Sequence, residues 1–219
     1  MIGTQITFSP NEIPFCEKEI LRYAGVKKPD ENLNSLMREC MEEIRPLLDF
    51  RVCYKIFPLT LEDGVCEFNN LRFFSRDLSK ALKGCHSALL FAATLGVEPD
   101  RLIAKYGLLS PAKALMMQAI GTERIEAFCD AFCREIQKEE KAYLTPRFSP
   151  GYGDLSLQTQ KDIFSVLDCS RKIGLTLSDS LLMSPSKSVT AFAAITENKP
   201  LEKINKCTLC GNVSCEFRR

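Results

Sequence analysis

Ala88-Leu-Leu-Phe-Ala-Ala-Thr-Leu95 is a continuous run of core-type residues, preceded by the chain's one histidine, His86, and closed by Gly96. The run is too short for a core helix of ordinary length, and it lacks the polar alternation of a half-exposed strand. It predicts a strand buried on both faces at the centre of a sheet. His86, at its entrance, then reads as a structural residue.

Working upstream from this run, residues 77–83 predict a helix that stops at Gly84, and residues 52–57 and 65–68 predict strands joined by a turn at Glu62-Asp-Gly64. A helix is expected from Ser35, with Leu36, Met37, Cys40, Met41, Ile44 and Leu48 on one face and Pro46 near its end. Residues 15–24 predict a short helix ending at Gly25, and residues 4–8 an edge strand.

Downstream, residues 98–106 predict a helix closed by Gly107. Ser110-Pro111 then opens the longest helix, about 110–143, because Ser suits a cap and Pro the first turn. Its expected stripe is Leu115, Gln118, Thr122, Ile125, Phe128, Cys129, Phe132 and Ile136, with Glu126 on the shoulder. Ser156 caps a further helix that stops near Gly174. Residues 175–183 and 188–196 predict strands around a turn at 184–187. Strands and helices in mixed order, without regular βα alternation, predict an α+β fold: a single domain with a largely antiparallel twisted sheet packed by helices.

With 219 residues, 45% of them apolar and 26% charged, the chain can bury one sizeable core. Its net charge of +1 gives no electrostatic reason to expect nucleic acid or an anionic membrane. No apolar run reaches the length of a membrane span, and the N-terminus lacks the regions of a secretory leader. A cytoplasmic location is expected, in which eleven cysteines would be reduced thiols, metal ligands or redox groups.

The chemistry concentrates at Arg147-Phe-Ser-Pro-Gly-Tyr-Gly-Asp154. Pro and two glycines bend the chain sharply, bringing backbone amides, a planar cation and a phenol to one small volume suited to a carboxylate-ended ligand. A surface turn with a solvated arginine is the plainer reading. Neither Gly-x-Gly-x-x-Gly between a strand and a helix nor the P-loop pattern is present, so the fold is not expected to be Rossmann.

Three segments in order, R-F-S-P-G-Y-G (147–153), I-G-L-T-L-S-D-S-L-L-M-S-P (173–185) and S-V-T-A (188–191), resemble the activation domain of cobalamin-dependent methionine synthase. The first hundred residues look more like its short, free-standing bacterial relatives. The resemblance implies binding of S-adenosylmethionine (AdoMet) through Arg-x-x-x-Gly-Tyr, with Arg147 on the ligand carboxylate and Gly151 and Tyr152 completing the motif. Tyr152 can equally be a packing residue. Glu126-Ala127-Phe128 matches the family's ligand-side triplet, which assigns Glu126 to the sulfonium or α-ammonium; alone, Glu126 reads as a solvated helix residue. The family's tyrosine pair has no counterpart, because no tyrosine follows Tyr152.

What the resemblance implies is an activation subunit that supports reductive methylation of cob(II)alamin on a partner methionine synthase or related corrinoid protein, with an unidentified electron donor. No catalytic residue is assigned. A Cys-rich tail, 205–219, carries Cys207, Cys210 and Cys215, which can wrap a Zn ion or an iron–sulfur cluster, form a redox dithiol, or remain plain thiols. A fourth ligand would have to come from Cys16 or Cys169. The tail sustains an alternative function, a metal- or cluster-bearing redox protein, and a non-catalytic interaction module is a third.

Overall fold

The structure, a computed structural model, describes residues 4–9, 12–68 and 71–198. Along the chain run β1 (Thr4–Phe8), α1 (Glu17–Tyr23), α2 (Glu31–Ile44), β2 (Phe50–Glu62), β3 (Val65–Phe68), β4 (Leu71–Phe74), α3 (Arg76–Ala81), β5 (Ser87–Thr94), α4 (Glu98–Leu109) and α5 (Pro111–Glu139). β6 (Tyr143–Leu144), α6 (Thr159–Leu167), α7 (Cys169–Ile173), β7 (Thr176–Leu177), β8 (Met183–Ser184) and β9 (Ser188–Thr196) follow.

The main sheet has the order β4-β3-β2-β5-β9-β6, with β1 also on β2, and every pairing is antiparallel. The expected α+β class is what forms, and β5 is the central buried strand. Its residues alternate between two cores, as a period of two requires. Leu89, Phe91 and Ala93 join Phe50, Val52 and Tyr54 under α2, α4 and α5. Ala88, Leu90 and Ala92 join Cys53, Phe68, Phe73 and Phe192 with Leu78 of α3 and residues of α6 and α7. Phe132 of α5 lies 5.1 Å from Phe91 and 5.3 Å from Tyr54, ring centre to ring centre, so the long helix is keyed directly to the sheet.

Several boundaries differ from the sequence reading. α2 begins earlier than Ser35, because the Asp30 side chain accepts from the Leu33 N–H at 2.8 Å and caps it there. Gly107 lies inside α4, which runs on to Leu109. Residues 175–183 do not form one strand: β7 and β8 are two residues each, joined through Leu181 at φ +64 and paired only with one another. α5 ends at Glu139, and Tyr143–Leu144 pairs with β9 instead of extending it.

The stripe of α5 is also rotated in its first half. Leu115 is 58% exposed, while Met116, Met117, Ile120, Glu123 and Arg124 are buried. The buried charges are reconciled by a local network. Glu123 accepts twice from the Arg124 guanidinium at 2.6 Å, and Arg124 donates to the Ile13 and Pro14 carbonyls at 2.7 and 2.6 Å. The Cys16 N–H donates to Glu123 at 3.2 Å, and Phe15 lies under the guanidinium at 4.0 Å. One buried ion pair thus stitches residues 13–16 to the long helix.

Candidate functional site

Residues 143–148 run along the outer edge of β9. Beyond β6, the Thr145 N–H donates to the Ala194 carbonyl at 2.9 Å, and Phe148 and Phe192 exchange backbone hydrogen bonds of 2.9 and 2.8 Å. Phe148 turns toward the core beside α6. On an extended edge the neighbouring side chain points the other way, and Arg147 accordingly faces α5.

There Arg147 meets two carboxylates one helical turn apart. Its Nη2 donates to Glu126 Oε2 at 2.6 Å and its Nη1 to Asp130 Oδ1 at 2.7 Å. The guanidinium side chain is 19% exposed, against 44% for Glu126 and 51% for Asp130, so the cation sits beneath the two acids. Burial works against its charge, but the neighbouring acids more than offset it and hold the guanidinium pKa above its ordinary value. Burial pushes the Cys129 thiol well up. Cys129 is therefore neutral at physiological pH, and the two carboxylates supply the field.

Glu126 and Asp130 continue a polar row on α5 that includes Gln118 and Thr122 at the same four-residue spacing. Lys187 straddles the upper half, donating to Gln118 Oε1 at 2.6 Å and Thr122 Oγ1 at 3.2 Å. Arg147 straddles the lower half. An open groove of about 360 Å³, lined by Arg22, Tyr23, Leu115, Gln118, Ala119 and Thr122, follows the upper end of the row. The motif turn follows Arg147 in the chain and packs against α3.

The turn is held by a residue the sequence reading passed over. Asp154 accepts from the Ser75 hydroxyl and from the N–H groups of Arg76 at 2.8 Å and Asp77 at 3.2 Å, closing the N-terminus of α3. The Ser75 hydroxyl first, and these amides with it, keep the Asp154 carboxyl below its ordinary range. Gly151 adopts φ +87 and donates to the Leu155 carbonyl at 2.9 Å; Tyr152 is 69% exposed. Gly153, at φ +54, lies so close to α3 that a Cβ there would meet Asp77 Oδ2 at 2.5 Å. Gly153→Ala is expected to destabilise the protein by about 1–2 kcal/mol, read as a lower urea midpoint at unchanged slope. An unchanged midpoint would show that the turn and α3 can part without cost.

The sequence-derived residues thus divide. Glu126 and Arg147 come together; Gly151 and Tyr152 shape and flank the turn that follows; Asp130 was missed, although an acid four residues beyond Glu126 on the same helix was the available signal. Cys207, Cys210 and Cys215 lie outside the described residues. Neither candidate fourth ligand stands in a metal-type cluster. Cys169 is buried against Cys53, whose thiol shares a hydrogen bond with it, and Cys16 is exposed. Among the described residues no group of three or more His, Cys, Asp or Glu side chains is placed to hold a metal. Nor, among them, is any helix long and apolar enough to cross a membrane.

An antiparallel α+β fold with helices on both faces, carrying an arginine–carboxylate cluster where the sheet edge meets its longest helix, is distinct from the Rossmann and P-loop nucleotide binders. A family model described as the activation domain of vitamin B12-dependent methionine synthase matches residues 85–208, and the chain belongs to that family. Among solved structures, the MetH reactivation domain bound to AdoHcy aligns with a TM-score of 0.70, covering 91% of this chain and 80% of that chain at 15% identity. At that identity the likeness establishes the fold. No curated protein matches the chain.

Proposed function

We propose that this chain binds AdoMet at the Glu126–Asp130–Arg147 cluster and presents its methyl group to cob(II)alamin carried by a partner methionine synthase or related corrinoid protein. The carrying observation is that Glu126 and Arg147, the two positions matched to the family's ligand residues, meet at 2.6 Å at a partly exposed edge. A guanidinium fork beside carboxylates fits the zwitterionic end of an amino acid, with an acid to spare for a sulfonium. The AdoHcy bound to the structurally similar MetH domain supports the same ligand class. On this reading residues 1–219 form one free-standing, cytoplasmic activation unit, with Tyr152 and Gly151 flanking the ligand and 205–219 as an appended tail.

The chain's contribution is to hold the methyl donor at the surface, where docking brings it to the metal; proximity is the main catalytic term. The partner's cobalamin supplies the methyl acceptor. An external one-electron reductant completes the balance: one electron and one methyl cation convert cob(II)alamin to methylcobalamin and leave AdoHcy. None of these roles requires a general base from this chain.

Calorimetric titration of AdoMet, followed by methylcobalamin formation on a cob(II)alamin-loaded partner module under a chemical reductant, tests the reading. Saturable binding and AdoMet-dependent methylation are expected. Absence of AdoMet binding, with the partner module present, overturns it. Stoichiometric zinc or iron lost on Cys210→Ser in such a protein would instead identify the metal-bearing redox alternative.

A further inference from the structure

Both terminal nitrogens of Arg147 already bond to acids of its own chain: Nη2 donates to Glu126 and Nη1 to Asp130. Resting on the AdoMet reading above, we infer that Asp130 is an internal competitor that makes this site select the methylated, cationic form of its ligand over the demethylated one.

The selectivity follows from the charges around one guanidinium. Glu126, Asp130 and Arg147 together carry a net charge of −1. A ligand carboxylate that takes the Nη1 side of the fork competes there with Asp130, the more exposed of the two acids. Displacement without compensation would leave Asp130 beside two other carboxylates. A ligand that brings its own cations avoids this, because the freed acid gains a new partner as it loses Arg147. AdoMet carries one carboxylate, one ammonium and one sulfonium, a net charge of +1, so its complex with the three side chains is neutral. AdoHcy has lost the sulfonium charge with the methyl group, and its complex keeps a net −1. Asp130 then returns to Arg147 more readily, and the spent ligand leaves. These charges lie within a few ångströms of one another in a partly desolvated edge, where screening by salt is weaker than on the open surface.

Asp130→Asn removes the competing charge and keeps the shape. Its exposed position makes the fold tolerant of the change. AdoMet and AdoHcy are titrated by calorimetry into the wild-type chain, Asp130→Asn and Arg147→Ala. For AdoHcy both consequences of the substitution favour binding, and its affinity is expected to rise by about 3- to 10-fold. For AdoMet the lost competitor and the lost counter-charge oppose one another. The preference for AdoMet over AdoHcy therefore falls by a similar factor, an effect that a merely structural Asp130 would not produce. If Arg147→Ala weakens AdoMet binding but Asp130→Asn leaves the preference unchanged, the AdoMet site stands and the role given to Asp130 is wrong. If Arg147→Ala binds AdoMet like the wild type, or if none of the three proteins binds it, the site reading falls and this inference with it.

Discussion

Arg147→Ala is expected to weaken AdoMet binding by about 10- to 150-fold, the loss of one charge-assisted, two-pronged contact. The substitution has a second consequence that reinforces the first. Glu126 and Asp130 lie one turn apart on α5, and the guanidinium bridging them is what allows two like charges to share that surface. Without it, the acids repel each other and the carboxylate end of any ligand. Stability should change little, because both acids can turn to solvent and the backbone of residues 145–148 remains paired with β9. Arg147→Lys should recover only part of the affinity, since an ammonium supplies the charge but not the planar pair of donors. Affinity within a factor of two of wild type in the alanine variant would remove Arg147 from the ligand's path.

The largest stability effect is expected elsewhere on the same helix. Glu123→Ala should cost about 3–5 kcal/mol, the usual penalty for stranding one member of a buried ion pair. Arg124 is fully buried, and with Glu123 gone its charge would have only the carbonyls of Ile13 and Pro14 and the face of Phe15 for company. The Cys16 N–H, at the start of α1, would lose its acceptor as well. Chemical denaturation would show a lower midpoint, and amide exchange in residues 12–24 should accelerate before the rest. Replacing both members, Glu123→Leu with Arg124→Met, should restore much of the loss if the penalty is electrostatic; a double variant no better than the single one would assign it to packing.

Much of the architecture could be read from the chain, for physical reasons that also explain the failures. β5 and β9 are buried on both sides, so their composition alone identifies them. β4 was missed because it is four residues long and places Arg72 and Phe74 on an exposed face. Residues 175–183 look like a strand by composition. Ser178 closes a tight turn there, accepting from the Leu182 N–H through its hydroxyl while its own N–H reaches the Leu182 carbonyl. In α5 the periodicity was correct from Ile125 onward and wrong before it. Residues 13–16 cover Glu123 and Arg124, and a charged pair in a buried position is invisible to an apolar count. At the candidate site, motif resemblance singled out Arg147 and Glu126, and the fold brings the two together. Asp154 was not, since its partners at Ser75, Arg76 and Asp77 are about eighty residues away and only the fold brings them near.

β5 is hydrogen-bonded along its length to β9 on one side and to β2 on the other. The stretch that matches the family, 85–208, includes the first of these neighbours and excludes the second. The limit of recognisable sequence therefore cuts through the middle of the sheet. A chain begun at that limit would carry the whole Arg147 motif and yet expose an eight-residue ribbon of unsatisfied amides and carbonyls, with Leu89 and Phe91 losing the part of their cover that β2 and α2 supply. Such a ribbon is a template for its own copies, and self-association, not ligand capture, would be its dominant behaviour. The stretch that the family model matches would thus depend for its solubility on a strand that lies outside it.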